Sequence, residues 1–281
     1  MKLADFLTPT SGPRPTVAVP LANDPDILRC IAEALRTNLA DFLLIGEKRR
    51  IQEEAAKLGA DISRASFLDE ALDETAACER AARLAQEGRA RILMKGLVQT
   101  STFSKAVLNK ERGLVPAGRL ISHVGLFEVP GFPKPFVVTD AALNIAPTLE
   151  QKAEILRNAV DFCRRLGVAR PKVACVAAVE KVNPKIQSTV DADALRQMAA
   201  RGEFGDALVE GPFGLDVAVS RHAAETKGVK SEVAGDPDIL LLPGLDAANV
   251  LYKSLTRFAK ASTASVLAGV TVPVVLTSRA D

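Results

Sequence analysis

The chain has 281 residues, 48% hydrophobic and 25% charged, with a formal net charge of +2. That balance is ordinary for a soluble globular protein, and so small a charge sets up no broad field for nucleic acid or a membrane surface. With no Trp and a single Tyr, aromatic platforms for bases or sugars are disfavoured, and the core has to be aliphatic.

Taken in order, two kinds of segment alternate. Short β-branched runs fall at residues 16–20, 42–45, 91–94, 136–139, 172–177, 239–242 and 270–276. Between them, helical spacing predicts helices over 25–39, 48–58, 71–86, 149–166, 191–201 and 247–261. This βαβα rhythm implies an α/β protein with a largely parallel sheet covered by helices on both faces. Boundary signals agree: Asn23-Asp24-Pro25 places a cap before an early proline, Thr148 precedes a long helix, and Gly59 and Gly167 read as stops. Two lobes are expected, residues 1–142 plus 266–281 and residues 143–265, with a cleft between them. No Gly/Ser or Pro-rich linker separates them.

Cys30, Cys78, Cys163 and Cys175 are dispersed, with no CxxC pair, so reduced thiols fit better than a disulfide framework or zinc site. His123 and His222 form no HxxxH or HExxH pattern. No apolar run reaches the roughly 18 residues of a membrane span, and Met1-Lys-Leu-Ala-Asp-Phe6 lacks a secretory apolar core. A cytoplasmic protein that binds neither nucleic acid nor membrane is expected.

Several polar segments follow apolar strands, where ligands of open α/β sheets bind. Lys95-Gly-Leu-Val-Gln-Thr-Ser-Thr102 gathers hydroxyls at a helix start; anion binding and plain capping both fit, and the spacing is not that of a Walker A loop. In Gly118-Arg-Leu-Ile-Ser-His-Val124, Arg119 and Ser122 are expected to face the cleft, while a packed His123 is favoured over a catalytic one. Val182-Asn-Pro-Lys-Ile-Gln-Ser-Thr189 suits a nucleotide's phosphates or is a simple loop. Asp216 in Glu210-Gly-Pro-Phe-Gly-Leu-Asp216 reads first as a helix cap. Asp236 and Asp238 read as a loop feeding a strand rather than a metal site, and Asn249 and Lys253 sit one helical turn apart. The chain stops on Thr277-Ser-Arg-Ala-Asp281, where Ser278 and Arg279 suit a phosphate.

The stretches LMKGLVQT, GRLISHV, PFVVTDAALNIAPTLEQK, VNPKIQST, VEGPFGLDVAVS, GDPDILLLPGLDAANVLYK and PVVLTSRAD, in that order, resemble the phosphate acetyl/butyryltransferase family. They are most similar to the acyltransferase half of enoyl-CoA hydratase/phosphate acetyltransferase fusions. The resemblance covers roughly residues 90–281. It implies acyl-CoA plus phosphate giving acyl phosphate plus CoA, with acetyl first and butyryl second. It also implies two α/β/α lobes like those of isocitrate and isopropylmalate dehydrogenases. No metal or further cofactor is implied beyond coenzyme A as substrate, and the usual state is a homodimer.

Carried over by motif, Ser278 and Arg279 hold phosphate and transition-state charge. Thr100, Ser101, Arg119 and Ser122 line the substrate pocket, and Asn249 and Lys253 border the cleft. The acetyltransferases' catalytic Asp lies about seven residues beyond the Ser, past the end of this chain, so Asp281 is assigned its place; the family's terminal helix is not in the sequence. Ala248 replaces the family's usual Gly, and residues 260–269 lack its Ala-Gly-Ile. These departures motivate an alternative reading, a non-catalytic CoA-binding or oligomerising module of the same fold. A hydroxyacid dehydrogenase is disfavoured because no acidic metal cluster is visible.

Overall fold

In the computed structural model, residues 2–6, 12–109 and 114–276 are described. The chain divides into two compact units, Leu7–Arg119 with Gly269–Asp281, and Met1–Phe6 with Leu120–Ala268.

The first unit is built from β1 (Thr16–Pro20), α1 (Pro25–Arg36), β2 (Asp41–Gly46), α2 (Lys48–Lys57), β3 (Ser66–Asp69), α3 (Glu74–Gln86), β4 (Ile92–Met94), α4 (Thr100–Val107) and the late strand β11 (Val274–Val275). The strand order is β3-β2-β1-β4-β11, parallel throughout. Strand periodicity sends Val17 and Val19 into one cluster with Ile27, Leu28, Ile31 and Leu35 of α1 and Ile51 and Ala55 of α2. Helix α3 packs against β1, β2 and β4. The Asp24 carboxylate accepts from the Asp26 and Ile27 amides at 3.0 and 3.2 Å, and Pro25 opens α1. The cap is therefore where the Asn-Asp-Pro signal put it.

The second unit contains a short 3-10 turn (Leu3–Phe6), β5 (Ser122–Glu128), β6 (Phe136–Thr139), α5 (Leu149–Arg165), β7 (Lys172–Val176), α6 (Gln187–Ala200), β8 (Leu208–Phe213), α7 (Leu215–Val219), α8 (Arg221–Thr226), β9 (Ile239–Leu241), α9 (Leu245–Arg257) and β10 (Ser262–Ala268). Its strand order is β10-β5-β6-β9-β7-β8. Here the sheet is mixed: β5 runs antiparallel to both β10 and β6, while β6, β9, β7 and β8 pair in parallel.

Alternation along β7 divides the core of this unit. Val173 and Cys175 face Ile155, Leu156 and Ala159 of α5 and Leu195 of α6. Ala174 and Val176 face Val217 and Ala218 of α7, Ala224 of α8 and Ala248 of α9. Each fully buried large aliphatic side chain contributes roughly 2 kcal/mol by leaving water. Thr148 closes a capping box with Gln151 at the head of α5. Strands β5 and β6 share this second core, so packing divides the chain after Arg119 and Ala268. The sequence reading divided it after residues 142 and 265.

Candidate functional site

In the first unit the polar segment after β4 is tightly tied down. An added Cβ on Gly96 would lie 1.8 Å from the Pro20 carbonyl oxygen, so only glycine fits. The Leu97 amide donates to Leu21 O at 2.9 Å, the Gln99 amide to Glu74 Oε1 at 2.7 Å, and α4 begins at Thr100. Gln99, the N-cap residue, makes no side-chain cap bond. Thr100 and Ser101 are exposed in the first turn, where backbone N–H groups and hydroxyls together attract anions.

Strand β11 lies parallel to β4, with the Lys95 amide donating to Val275 O at 3.1 Å. Both strands therefore end on the same side. Ser278, Arg279 and Asp281, which follow β11 in sequence, lie outside the described residues. Arg119 is exposed on a turn after Gly118, whose φ is +75°, and its amide donates to Pro116 O.

In the second unit the loop after β6 is organised by Asp140, which is buried. Its carboxylate accepts from the amides of Ala142, Leu143 and Asn144 at 2.9, 3.1 and 3.3 Å. Asn144 Nδ2 bonds Asp140 and Ile121 O, and Asn249 Nδ2 donates to Ala141 O at 3.0 Å. Asn249 thus fastens α9 to this loop, and the Leu245 amide adds a bond to Ile145 O. Lys253 is exposed one turn on. Asp140 and Asn144 were not singled out from sequence. The available signal was an Asp directly after an apolar strand, with an Asn four residues later.

Ser122 was expected to face a cleft. It is instead fully buried at the start of β5, and Asn158 Nδ2 donates to its Oγ at 3.0 Å. Its role is to satisfy a buried amide inside the second unit. Ala248 is also fully buried, in the cluster with Phe127 and Phe136. The extra methyl that distinguishes it from the family's glycine fills the core. His123 is buried on β5, with its ring edge-on to Tyr252 at 5.7 Å, as the packed reading expected.

The Asn183–Thr189 segment builds itself. Thr189 Oγ1 accepts from the Asn183 amide at 2.9 Å and donates to Ile186 O at 2.8 Å, while Asn183 Oδ1 accepts from the Lys185 amide. Lys185 is left exposed. Asp216 and Glu180 share Lys227 at 2.9 and 2.8 Å, and its hydrogen bonds hold both carboxyls below the usual range. Asp236 and Asp238 pair with Lys134 at 2.9 and 2.6 Å, and Asp236 also with Lys172. Among the described residues, no group of three or more His, Cys, Asp or Glu is placed to hold a metal ion, and no helix is long and apolar enough to cross a membrane.

Burial pushes the thiols of Cys78, Cys163 and Cys175 up to about 12. A thiolate at these positions is strongly disfavoured near neutrality.

Comparison with known proteins brings these features together. The sequence profile described as "Phosphate acetyl/butaryl transferase" matches residues 76–281. A phosphate butyryltransferase of Clostridium beijerinckii is 45% identical over 269 residues, covering 96% of this chain and 88% of that protein. The crystal structure of a branched-chain phosphotransacylase from Enterococcus faecalis V583 superposes with a TM-score of 0.82 at 35% identity, covering 95% of this chain and 92% of that one. At the level of fold alone, likeness extends to a 4-hydroxythreonine-4-phosphate dehydrogenase from Klebsiella pneumoniae, with a TM-score of 0.55, 14% identity and coverage of 94% and 90% of the two chains. The dehydrogenase-like α/β fold expected from sequence is thus present, and the chain belongs to the phosphate acetyl/butyryltransferase family.

Proposed function

We propose that this protein transfers an acyl group reversibly between coenzyme A and inorganic phosphate, with butyryl or a similarly sized branched acyl group as its preferred cargo. The reading rests on the 45% identity to a phosphate butyryltransferase across 96% of the chain. The branched-chain enzyme among its structural neighbours supports the larger acyl group over acetyl.

In this reading the glycine-tight loop after β4 presents the first turn of α4, with Thr100 and Ser101, to the phosphate group. Ser278 and Arg279 supply further donors, and Asp281 or a neighbouring group takes the thiol proton. Arg119, exposed on its turn, contacts the remainder of the substrates. Towards acyl-CoA, the coenzyme A sulfur attacks the carbonyl carbon of the acyl phosphate and phosphate leaves with the bonding electrons. An unperturbed thiol has a pKa of about 8.5, so a base raises the thiolate fraction near neutrality. Charge growing on the carbonyl oxygen and the phosphate is met by fixed donors. The high pKa values of Cys78, Cys163 and Cys175 favour this direct attack over an acyl-enzyme on any of those three. Coenzyme A enters as a substrate with no additional cofactor, and the family's usual setting, a cytoplasmic homodimer, is adopted here.

Phosphate-dependent release of coenzyme A from C2 to C5 acyl-CoAs tests the reading. Turnover should be fastest with butyryl-CoA or isobutyryl-CoA and should vanish without phosphate or arsenate. Tight acyl-CoA binding with no turnover for any chain length would replace it with a non-catalytic binding module.

A further inference from the structure

Lys95 stands at the C-terminal end of β4 and is only 3% exposed. A buried ammonium needs acceptors around it, and two come from the loop that Lys95 itself begins. Its Nζ donates to Gly96 O and to Val98 O, each at 3.2 Å. In a trans peptide the C=O of one residue and the N–H of the next point in opposite directions. The partners of the next amides fit that geometry. The Leu97 amide donates to Leu21 O at 2.9 Å, and the Gln99 amide to Glu74 Oε1 at 2.7 Å. The peptide planes 96–97 and 98–99 are therefore each gripped at both ends, with Lys95 holding both oxygens. Gly96 is hemmed in on the other side, where a Cβ would lie 1.8 Å from the Pro20 carbonyl oxygen. The second of these planes leads directly into α4, so its orientation fixes where the Thr100 and Ser101 groups point.

We infer that Lys95 is a positioning residue for the phosphate-binding end of α4: its buried ammonium orients the two peptide planes that set the helix's entry direction. This rests on the acyltransferase reading only in taking phosphate as the anion presented to α4. Without the ammonium, Val98 O loses its Lys95 donor, while Gly96 O keeps the Val98 amide at 2.8 Å; the 98–99 plane is loosened and the first turn of α4 can tilt. A shift of about 1 Å in a positioned group costs up to about 100-fold in rate.

The test compares wild type, Lys95→Met and Lys95→Gln in the full chain, with two readouts. Phosphate binding is followed as the rise in melting temperature across a titration with inorganic phosphate. Kinetics are followed as phosphate-dependent coenzyme A release. Lys95→Met should raise the phosphate concentration needed for half the thermal shift, and the KM for phosphate, by about tenfold, while the KM for acyl-CoA changes less than about threefold. Lys95→Gln keeps N–H donors on a shorter side chain and should recover part of that loss. A Lys95→Met protein that melts earlier but binds phosphate as wild type does would show a purely structural lysine and overturn the inference; if Lys95→Met does not fold, the same outcome in Lys95→Gln decides. A wild type stabilised by phosphate but without turnover removes the acyltransferase reading and leaves the inference to the binding arm. A wild type with turnover whose phosphate dependence is the same in both variants overturns the inference alone, and a wild type that phosphate neither stabilises nor activates overturns both.

Discussion

Two strand-end loops, one in each unit, are secured in opposite ways. Residues 95–99 are fixed by a buried cation pulling on carbonyls and by a glycine pressed on a neighbouring backbone. Residues 140–145 are fixed by a buried carboxylate and two carboxamides that bind backbone groups. The first device uses Lys95 and the Glu74 carboxylate and leaves the hydroxyls that follow exposed on α4. The second commits Asp140, Asn144 and Asn249 to the loop itself. Polar residues at strand ends thus divide into those that build a loop and those left for a ligand, and the motif alone does not say which is which.

The sharpest way to break the first loop is Gly96→Ala. A methyl 1.8 Å from Pro20 O cannot be accommodated without moving the backbone. Activity in the coenzyme A release assay should fall at least about 100-fold. Asp140→Ala strips three backbone amides of their acceptor in the second loop. Urea denaturation should show a loss of about 2–4 kcal/mol. Thr100→Val with Ser101→Ala should do the reverse. Both side chains are exposed, so stability should change by less than about 0.5 kcal/mol, while the KM for phosphate rises several-fold.

The smallest effect belongs to the ion network below the second loop. Burial pushes the Asp236 carboxyl up, but hydrogen bonds from Lys172 and Lys134 outweigh it and hold it below its ordinary value of 3.8. A depressed carboxylate stabilises the folded state above its unfolded pKa and loses that contribution as pH falls through the folded one. Asp236→Asn should therefore cost about 1 kcal/mol at pH 7. Its melting curve should converge with that of wild type as pH drops below about 4.

Where local pattern decides structure, the sequence was readable. Strands β1, β2, β4, β6, β7 and β9 are apolar runs, and the caps at Asp24 and Thr148 follow from a carboxylate directly before Pro25 and a hydroxyl three residues before Gln151. Strands β5 and β10 escaped notice because Ser122, His123 and Gly125 in one and Ser262, Thr263 and Ser265 in the other dilute the apolar signal. Their strand character comes from pairing with each other across more than a hundred residues. Hence the largely parallel sheet expected from the sequence is mixed in the second unit. The start of α4 was legible from glycine and clustered hydroxyls. The burial of Ser122 was not, because its partner Asn158 is 36 residues away on another element.

The raised thiols carry a practical consequence. A disulfide-exchange dye that reports free coenzyme A reacts with thiolates, and Cys78, Cys163 and Cys175 are both buried and protonated. In the native protein the dye should titrate the exposed Cys30 ahead of these three, which react only as the fold opens. The same reagent can therefore count turnover in one cuvette and, without substrate, time the unfolding of the protein in another.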